Sequence, residues 1–281
     1  FVDTTYSDFR IYGNSPCVDA GHDDYNDLTT DIRGTGFGRK LDKDDHTQIG
    51  TIDMGAYEYK EGTDPERMII FVDTSKSDAN NGLSWANAKK TLQAALDLAS
   101  SGDQIWVKAG KYLPTNQLGG TGERFRTFQM KNGVEIYGGF AGTEDPSFDL
   151  ATRDFVTNET ILSGDIGILN DSSDNCYHVF YHPEGLGLTS SAVLDGFTIS
   201  GANADAETYH HNTGGAIFIL NSSPVIRNCK LTNNRAVHGS ALFLSNSSSE
   251  LINLIINNNK TSYGTVCILN ASSPVFINNL I

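Results

Sequence analysis

The chain has 281 residues, a formal net charge of −14, 38% apolar and 19% charged residues, the profile of a folded soluble protein. So acidic a surface repels nucleic-acid phosphates and anionic lipids, which excludes DNA, RNA and anionic membranes as expected partners. No apolar run reaches the roughly 18 residues of a membrane span, and a composition with 28 glycines favours turn-rich β structure over a helical bundle.

Residues 1–59 are rich in Gly and Asp and hold few strand-like runs. Two acidic clusters stand out there, Asp23/Asp24/Asp27 and Asp42/Asp44/Asp45. Leu41-Asp42-Lys43-Asp44-Asp45 has the alternation of a Ca²⁺ loop but lacks the later Gly and Glu of an EF-hand. Two readings stand: a solvated acidic turn, or a structural Ca²⁺ that orders the segment. Residues 60–68 are polar and without periodicity at their start, and serve as a linker.

Ile69–Val72 reads as a strand. A helix is expected over Trp85–Ser100, N-capped by Ser84, with Trp85, Ala88, Leu92, Ala95, Leu96 and Ala99 on one face and Ser101-Gly102 ending it. Gln104–Lys108 alternates as a strand. One amphipathic helix ahead of a stack of coils reads as a cap over the open sheet end.

The last third repeats every 25 residues. Gly214, Gly239 and Gly264 keep that spacing, as do Ser222, Ser247 and Ser272, and Asn228, Asn253 and Asn278. Apolar sets align as Ile217/Leu242/Cys267, Ile219/Leu244/Leu269 and Ile226/Leu251/Phe276. The runs are short, β-branched and broken by Asn, Ser and Gly, which excludes a helical repeat. At roughly 3.3 Å per strand residue, one repeat makes a coil of three short strands and three turns, stacked on the next about 4.8 Å away. Neither coil buries its apolar face alone, whereas a stack does. The Ser222/Ser247/Ser272 and Asn228/Asn253/Asn278 columns are expected to hydrogen-bond along the stack as structural ladders.

Val193–Ile199 matches Val225–Leu231 at an offset of 32, so about seven extra residues lie within Ala204–Asn212. Insertions in solenoids map to surface loops and binding faces. Tyr209, His210 and His211 are therefore candidate ligand residues, able to stack on sugars. Tyr177, His178, Tyr181 and His182 are further candidates, with the two tyrosines equally readable as core. The cysteines, Cys17, Cys176, Cys229 and Cys267, show no metal spacing and read as small buried hydrophobes.

Several motifs carry a resemblance. They are Phe71-Val72-Asp73, Gly82–Ala88, Gly102–Val107, Ala109-Gly110-Lys111-Tyr112, Tyr137-Gly138-Gly139-Phe140, Thr160–Asp165 and Leu194–Ile199. In this order, residues 69–281 resemble the start of a parallel β-helix protein of the pectate-lyase-like superfamily, of the type common in secreted Bacteroidetes proteins. Asp8–Ile11, Ser15–Gly21 and Ile52–Glu58 resemble the closing segment of such a protein. The resemblance implies an all-β fold: a right-handed parallel β-helix with a short N-terminal capping helix, preceded by the loop-rich closing segment of another β-helix. It implies a chain running from the end of one unit into the truncated head of the next. It also implies an extracellular or cell-surface location reached by type IX secretion.

Polysaccharide lyases and hydrolases use this architecture, so catalysis must be weighed at the residues. The regular coils, 214–281, contain one acidic residue, Glu250, and the bases Arg227, Lys230, Arg235 and Lys260. They supply neither the carboxylates of a Ca²⁺-dependent lyase nor the pair of a glycosidase. His238-Gly239 reads as a turn, and Asp165 and Asp195 as turn caps. The expectation is a non-catalytic structural or adhesin-like component, with no catalytic residue and no cofactor beyond a structural Ca²⁺. Its expected partners are adjacent β-helix units, polysaccharide or other surface proteins. The alternative is a polysaccharide-active or carbohydrate-binding protein.

Overall fold

The computed structural model describes residues 68–169 and 171–281. The expected closing segment 1–59, linker residues 60–67, Cys17 and both acidic clusters lie outside the described residues. Ile69–Ile281 forms one unit, and it is a right-handed parallel β-helix.

Left-handed asparagines make the corners. Asn221, Asn228, Asn233, Asn246, Asn253, Asn258, Asn270 and Asn278 all have φ between 51 and 57°. Asn tolerates this region better than other residues with a Cβ, because its short polar side chain bonds locally. Each corner turns the chain after a strand of three or four residues. The coil therefore closes with four strands, one more than expected, because Asn233 and Asn258 interrupt what would be a longer run. One coil comprises Val225–Arg227, Lys230–Thr232, Arg235–His238 and Leu242–Ser245.

Stacking these coils builds four parallel sheets. The largest has seven strands, in the order Ile69–Val72, Gln104–Lys108, Glu135–Phe140, Val193–Asp195, Val225–Arg227, Glu250–Ile252 and Val275–Ile277. A five-stranded sheet runs through Gly110–Tyr112, Thr160–Ser163, Thr198–Ser200, Lys230–Thr232 and Ile255–Asn257. A four-stranded sheet holds Phe180–His182, Ile217–Leu220, Leu242–Ser245 and Val266–Leu269. The three-stranded sheet contains Asn203–Ala204, Arg235–His238 and Lys260–Tyr263.

Alternation along each short strand sends one column of side chains inward. Ile105, Ile136, Leu194, Ile226 and Leu251 form such a column and are 0% exposed. In the last described coil Phe276 continues the column and is 38% exposed.

The 25-residue register holds with one slip. Ile217 faces Leu242, but Leu242 faces Val266, and Ser245 faces Leu269. The expected alignments of Leu242 with Cys267 and of Leu244 with Leu269 are therefore off by one. Gly264-Thr265-Val266 is one residue shorter than Gly239-Ser240-Ala241-Leu242, and the register is back at 25 when Glu250 meets Val275.

The capping helix is shorter than expected. It spans Leu92–Leu98, and its N-cap is Thr91, which accepts a hydrogen bond from Ala94 N–H. Ser84 instead accepts from Asn87 N–H in a preceding turn. Trp85 and Ala88 belong to a different cluster, with Phe71, Trp106, Tyr137 and Phe140. Leu92, Ala95 and Leu96 join Ile70, Val72 and Ile105 in the main core. Replacing Thr91 with Ala should cost about 1 kcal/mol of stability, read as a lower urea midpoint at unchanged slope. No described helix is long and apolar enough to cross a membrane.

Candidate functional site

Part of each expected ladder is bonded from coil to coil, while the Ser247 hydroxyl instead meets Ser249 Oγ in its own coil at 2.8 Å. Asn253 Nδ2 donates to Asn228 Oδ1 at 3.0 Å, and Asn228 Nδ2 donates to Asp195 Oδ1 at 2.8 Å. Ser222 Oγ accepts from Leu188 N–H, and Ser272 Oγ from Ser247 N–H, both at 3.1 Å. A deeper column was not foreseen. Asn234, 0% exposed, accepts from Ala202 N–H and donates to Ile199 O, while its own N–H reaches Asn259 Oδ1. Asn259 Nδ2 in turn donates to Leu231 O. The match of Asn234 with Asn259 was visible in the sequence; its inward direction was not.

On the outer face of the largest sheet, register brings together charges distant in sequence. Tyr137 faces Asp195, and Asp195 faces Arg227. Asp195, 2% exposed, meets Arg153 Nη2 at 2.9 Å and Arg227 Nε at 2.6 Å. Arg153 also lies over the Tyr137 ring, 4.9 Å from its centre. Tyr137 OH donates to Glu135 Oε2 at 3.0 Å, and Gln104 Nε2 donates to the same oxygen. Burial, with the Glu135 carboxylate next, pushes the Tyr137 hydroxyl up to about 12. Asp195 thus does more than cap a turn: it compensates a buried guanidinium. Asp165 pairs with Lys111 at 3.1 Å.

A groove of about 630 Å³ runs beside this network, over the corner between the two larger sheets. Phe155, Val156 and Ile255 give it apolar walls, and Glu159, Thr198, Lys230 and Asn257 its polar groups. Thr198 Oγ1 donates to Glu159 Oε1 at 2.7 Å. Register places Lys230 between Thr198 and Ile255 in neighbouring coils. An ammonium, a carboxylate, amides and an aromatic ring over an apolar floor can hold a polyhydroxylated ring. None of these residues was singled out for the groove, because it draws on four coils.

The inserted residues form a turn, Tyr209–Asn212. His210 is exposed, while His211 is 7% exposed. His211 packs against His178, Tyr177, Tyr181 and Phe125. Tyr181, Phe218 and Phe243 form an outward aromatic column, with Phe218 and Phe243 stacked at 4.9 Å. His182 is 0% exposed and accepts Met130 N–H at Nε2, 3.1 Å away. His238, at a strand end, stacks on Tyr263. Cys176 and Cys229 are buried, and Cys267 half-buried; all three are free. Burial lifts the Cys176 and Cys229 thiols to about 12, so they are inert.

The architecture and its outer face define a protein of the right-handed parallel β-helix class. Residues 74–280 match a family described as "Protein of unknown function (DUF1565)", and the chain belongs to that family. No curated protein matches the sequence. A solved structure titled "Rhamnogalacturonan lyase" is 16% identical, with a TM-score of 0.49, covering 75% of this chain and 51% of that one. The chain therefore spans about half the length of that structure.

Proposed function

We propose that the chain is a non-catalytic structural unit of a secreted or cell-surface β-helix protein, adhesin-like in role. The observation that carries this reading is where the repeated polar side chains are spent. Asn228, Asn234, Asn253, Asn259, Ser222 and Ser272 all bond to neighbouring coils. A repeat that is selected for stacking yields a stiff rod rather than a row of ligand groups. The acidic surface suits an exported protein, with type IX secretion as its route. Adjacent β-helix units and other surface proteins are the partners this reading supplies. On a panel of polyuronides and neutral glycans the purified protein should release neither unsaturated products nor reducing ends. Turnover on any of them overturns the reading.

A second reading, carbohydrate binding, is favoured by the groove that holds Phe155, Glu159 and Lys230. It gains support if a glycan array shows binding that is lost in both Phe155→Ala and Lys230→Ala, and fails if the array is blank. A structural Ca²⁺ at Asp42, Asp44 and Asp45 belongs to either reading. EDTA should then lower the melting temperature, and an unchanged value removes the ion.

A further inference from the structure

Two imidazoles and two backbone carbonyls stand in a line with too few protons. His178 Nδ1 lies 2.9 Å from Gly214 O, and His178 Nε2 lies 3.1 Å from His211 Nδ1. His211 Nε2 lies 3.2 Å from Gly119 O. Each contact needs one hydrogen, so the line needs three. Two neutral imidazoles bring one apiece. With the pair neutral, one of the three contacts lacks its hydrogen whichever tautomers are chosen: either a carbonyl faces a bare ring nitrogen, or both carbonyls are satisfied and two bare ring nitrogens face each other. The contact to Gly119 is the longest of the three.

Gly119 sits in the hairpin that joins Asn116–Gln117 to Arg126–Thr127. The hairpin closes on the aromatic column: Leu118 packs against Tyr181, Phe218 and Phe243, and Phe125 meets His211 at 5.0 Å. A Cβ on Gly119 would lie 2.9 Å from both the His211 and Tyr181 rings, which shows how closely the hairpin fits here.

A third proton would complete the line, but it would place a charge on rings only 3% and 7% exposed. Most of the charged groups around them are already paired. In the hairpin, Glu123 is committed to Arg126 and Arg124 to Asp205. Arg124 also covers the Tyr177 ring at 4.1 Å. The inserted turn adds His210, whose Nδ1 is 3.4 Å from Tyr181 OH, and the exposed Glu207 lies just ahead of that turn. From the coil, the Tyr177 and Tyr181 rings pack against His211. Burying a charge without a partner costs more than one charge-assisted hydrogen bond returns.

We propose that His178 and His211 form an acid-released latch: the neutral pair holds the hairpin shut over the Tyr181–Phe218–Phe243 column, and protonation favours the open hairpin, where the rings reach water. The direction agrees with burial, which holds both imidazoles below their ordinary range against the opposing pull of the Gly214 and Gly119 carbonyls. Opening would bare an aromatic strip whose rings lie 5.1 and 4.9 Å apart.

Hydrogen exchange of the 281-residue protein tests this, at about pH 7 and about pH 5, with intrinsic rates divided out. The peptide over residues 117–125 should exchange about ten-fold faster in acid, while 217–220 and 242–245 stay unchanged. In a His178→Asn/His211→Asn variant that acceleration should vanish. Equal hairpin rates at the two pH values in the wild type, or an acceleration that survives in the variant, overturns the proposal. Should the variant not fold, imidazole NMR of the wild type decides. Both rings titrating together with the hairpin amides supports the latch, and rings titrating while those amides stay fixed overturns it.

Discussion

Asp195→Ala should lower stability by about 3–5 kcal/mol, the usual cost of stranding a buried charge. Arg153 and Asp195 have side chains only 3% and 2% exposed, and their contact is 2.9 Å. Removing the carboxylate leaves that guanidinium over the Tyr137 ring with only the carbonyls of Leu150, Gly138 and Asp195 as partners. It also unseats Arg227 Nε and Asn228 Nδ2, and so loosens the Asn228 corner at its first step. Arg227→Ala is the control. The Arg227 side chain is 37% exposed, so water can replace part of its interaction, and a loss of about 1 kcal/mol is expected. Urea midpoints for the two variants separate the cases; equal losses would show that Asp195 serves Arg227 alone.

Acid should destabilise the protein well before its carboxylates titrate. Burial pulls His178 and His182 down to about 3, from an ordinary value of 6.5, with carbonyl hydrogen bonds opposing weakly. A folded-state value below the unfolded one means that the unfolded chain binds the extra proton. The stability contribution is therefore whole above the unfolded value of 6.5 and is lost progressively as pH falls toward about 3. Each ring contributes about 1.4 kcal/mol per pH unit, so both together remove about 4 kcal/mol by pH 5. If the hairpin latch opens first, His178 reaches water and His182 alone removes about 2 kcal/mol. His182 has a further reason to stay neutral: its Nε2 accepts the Met130 N–H, and protonation would orphan that donor. Urea midpoints between pH 7 and pH 5 give the slope, and a His182→Gln variant should lose its share. A flat profile across that range would mean that neither ring is held neutral.

Most of the solenoid was legible in sequence, because stacking imposes the same demand on every coil. The corners need left-handed residues, so Asn recurs at 228, 253 and 278; the core needs an apolar column, so Ile226, Leu251 and Phe276 align. Strands Ile69–Val72 and Gln104–Lys108 were placed at their observed bounds. The slip at Val266 was hidden because Gly264 and Ser272 on either side keep the 25-residue spacing. The helix start was misread because Trp85 and Ala88 fall on helical spacing while packing elsewhere; Trp85 meets Phe71 at 4.7 Å on the sheet's outer face. The Asp195–Arg227 pair was within reach, since the offset of 32 already set one opposite the other. Arg153 was not, because it comes from a loop with no repeat to place it. The groove and the His178–His211 line escaped for the same reason: each joins irregular segments to the coils, and only the repeated parts announce their neighbours.

The stacking itself can be read optically. In a background with the native cysteines replaced by alanine, cysteines at Lys230 and Ile255 are labelled with pyrene. These positions face each other in adjacent strands, both side chains are exposed, and strand neighbours lie about 4.8 Å apart. Strong excimer emission in native buffer, lost in urea, is the expected result. Monomer emission alone from the folded protein would mean that residues one repeat apart are not neighbours, and the β-helix would be the wrong fold.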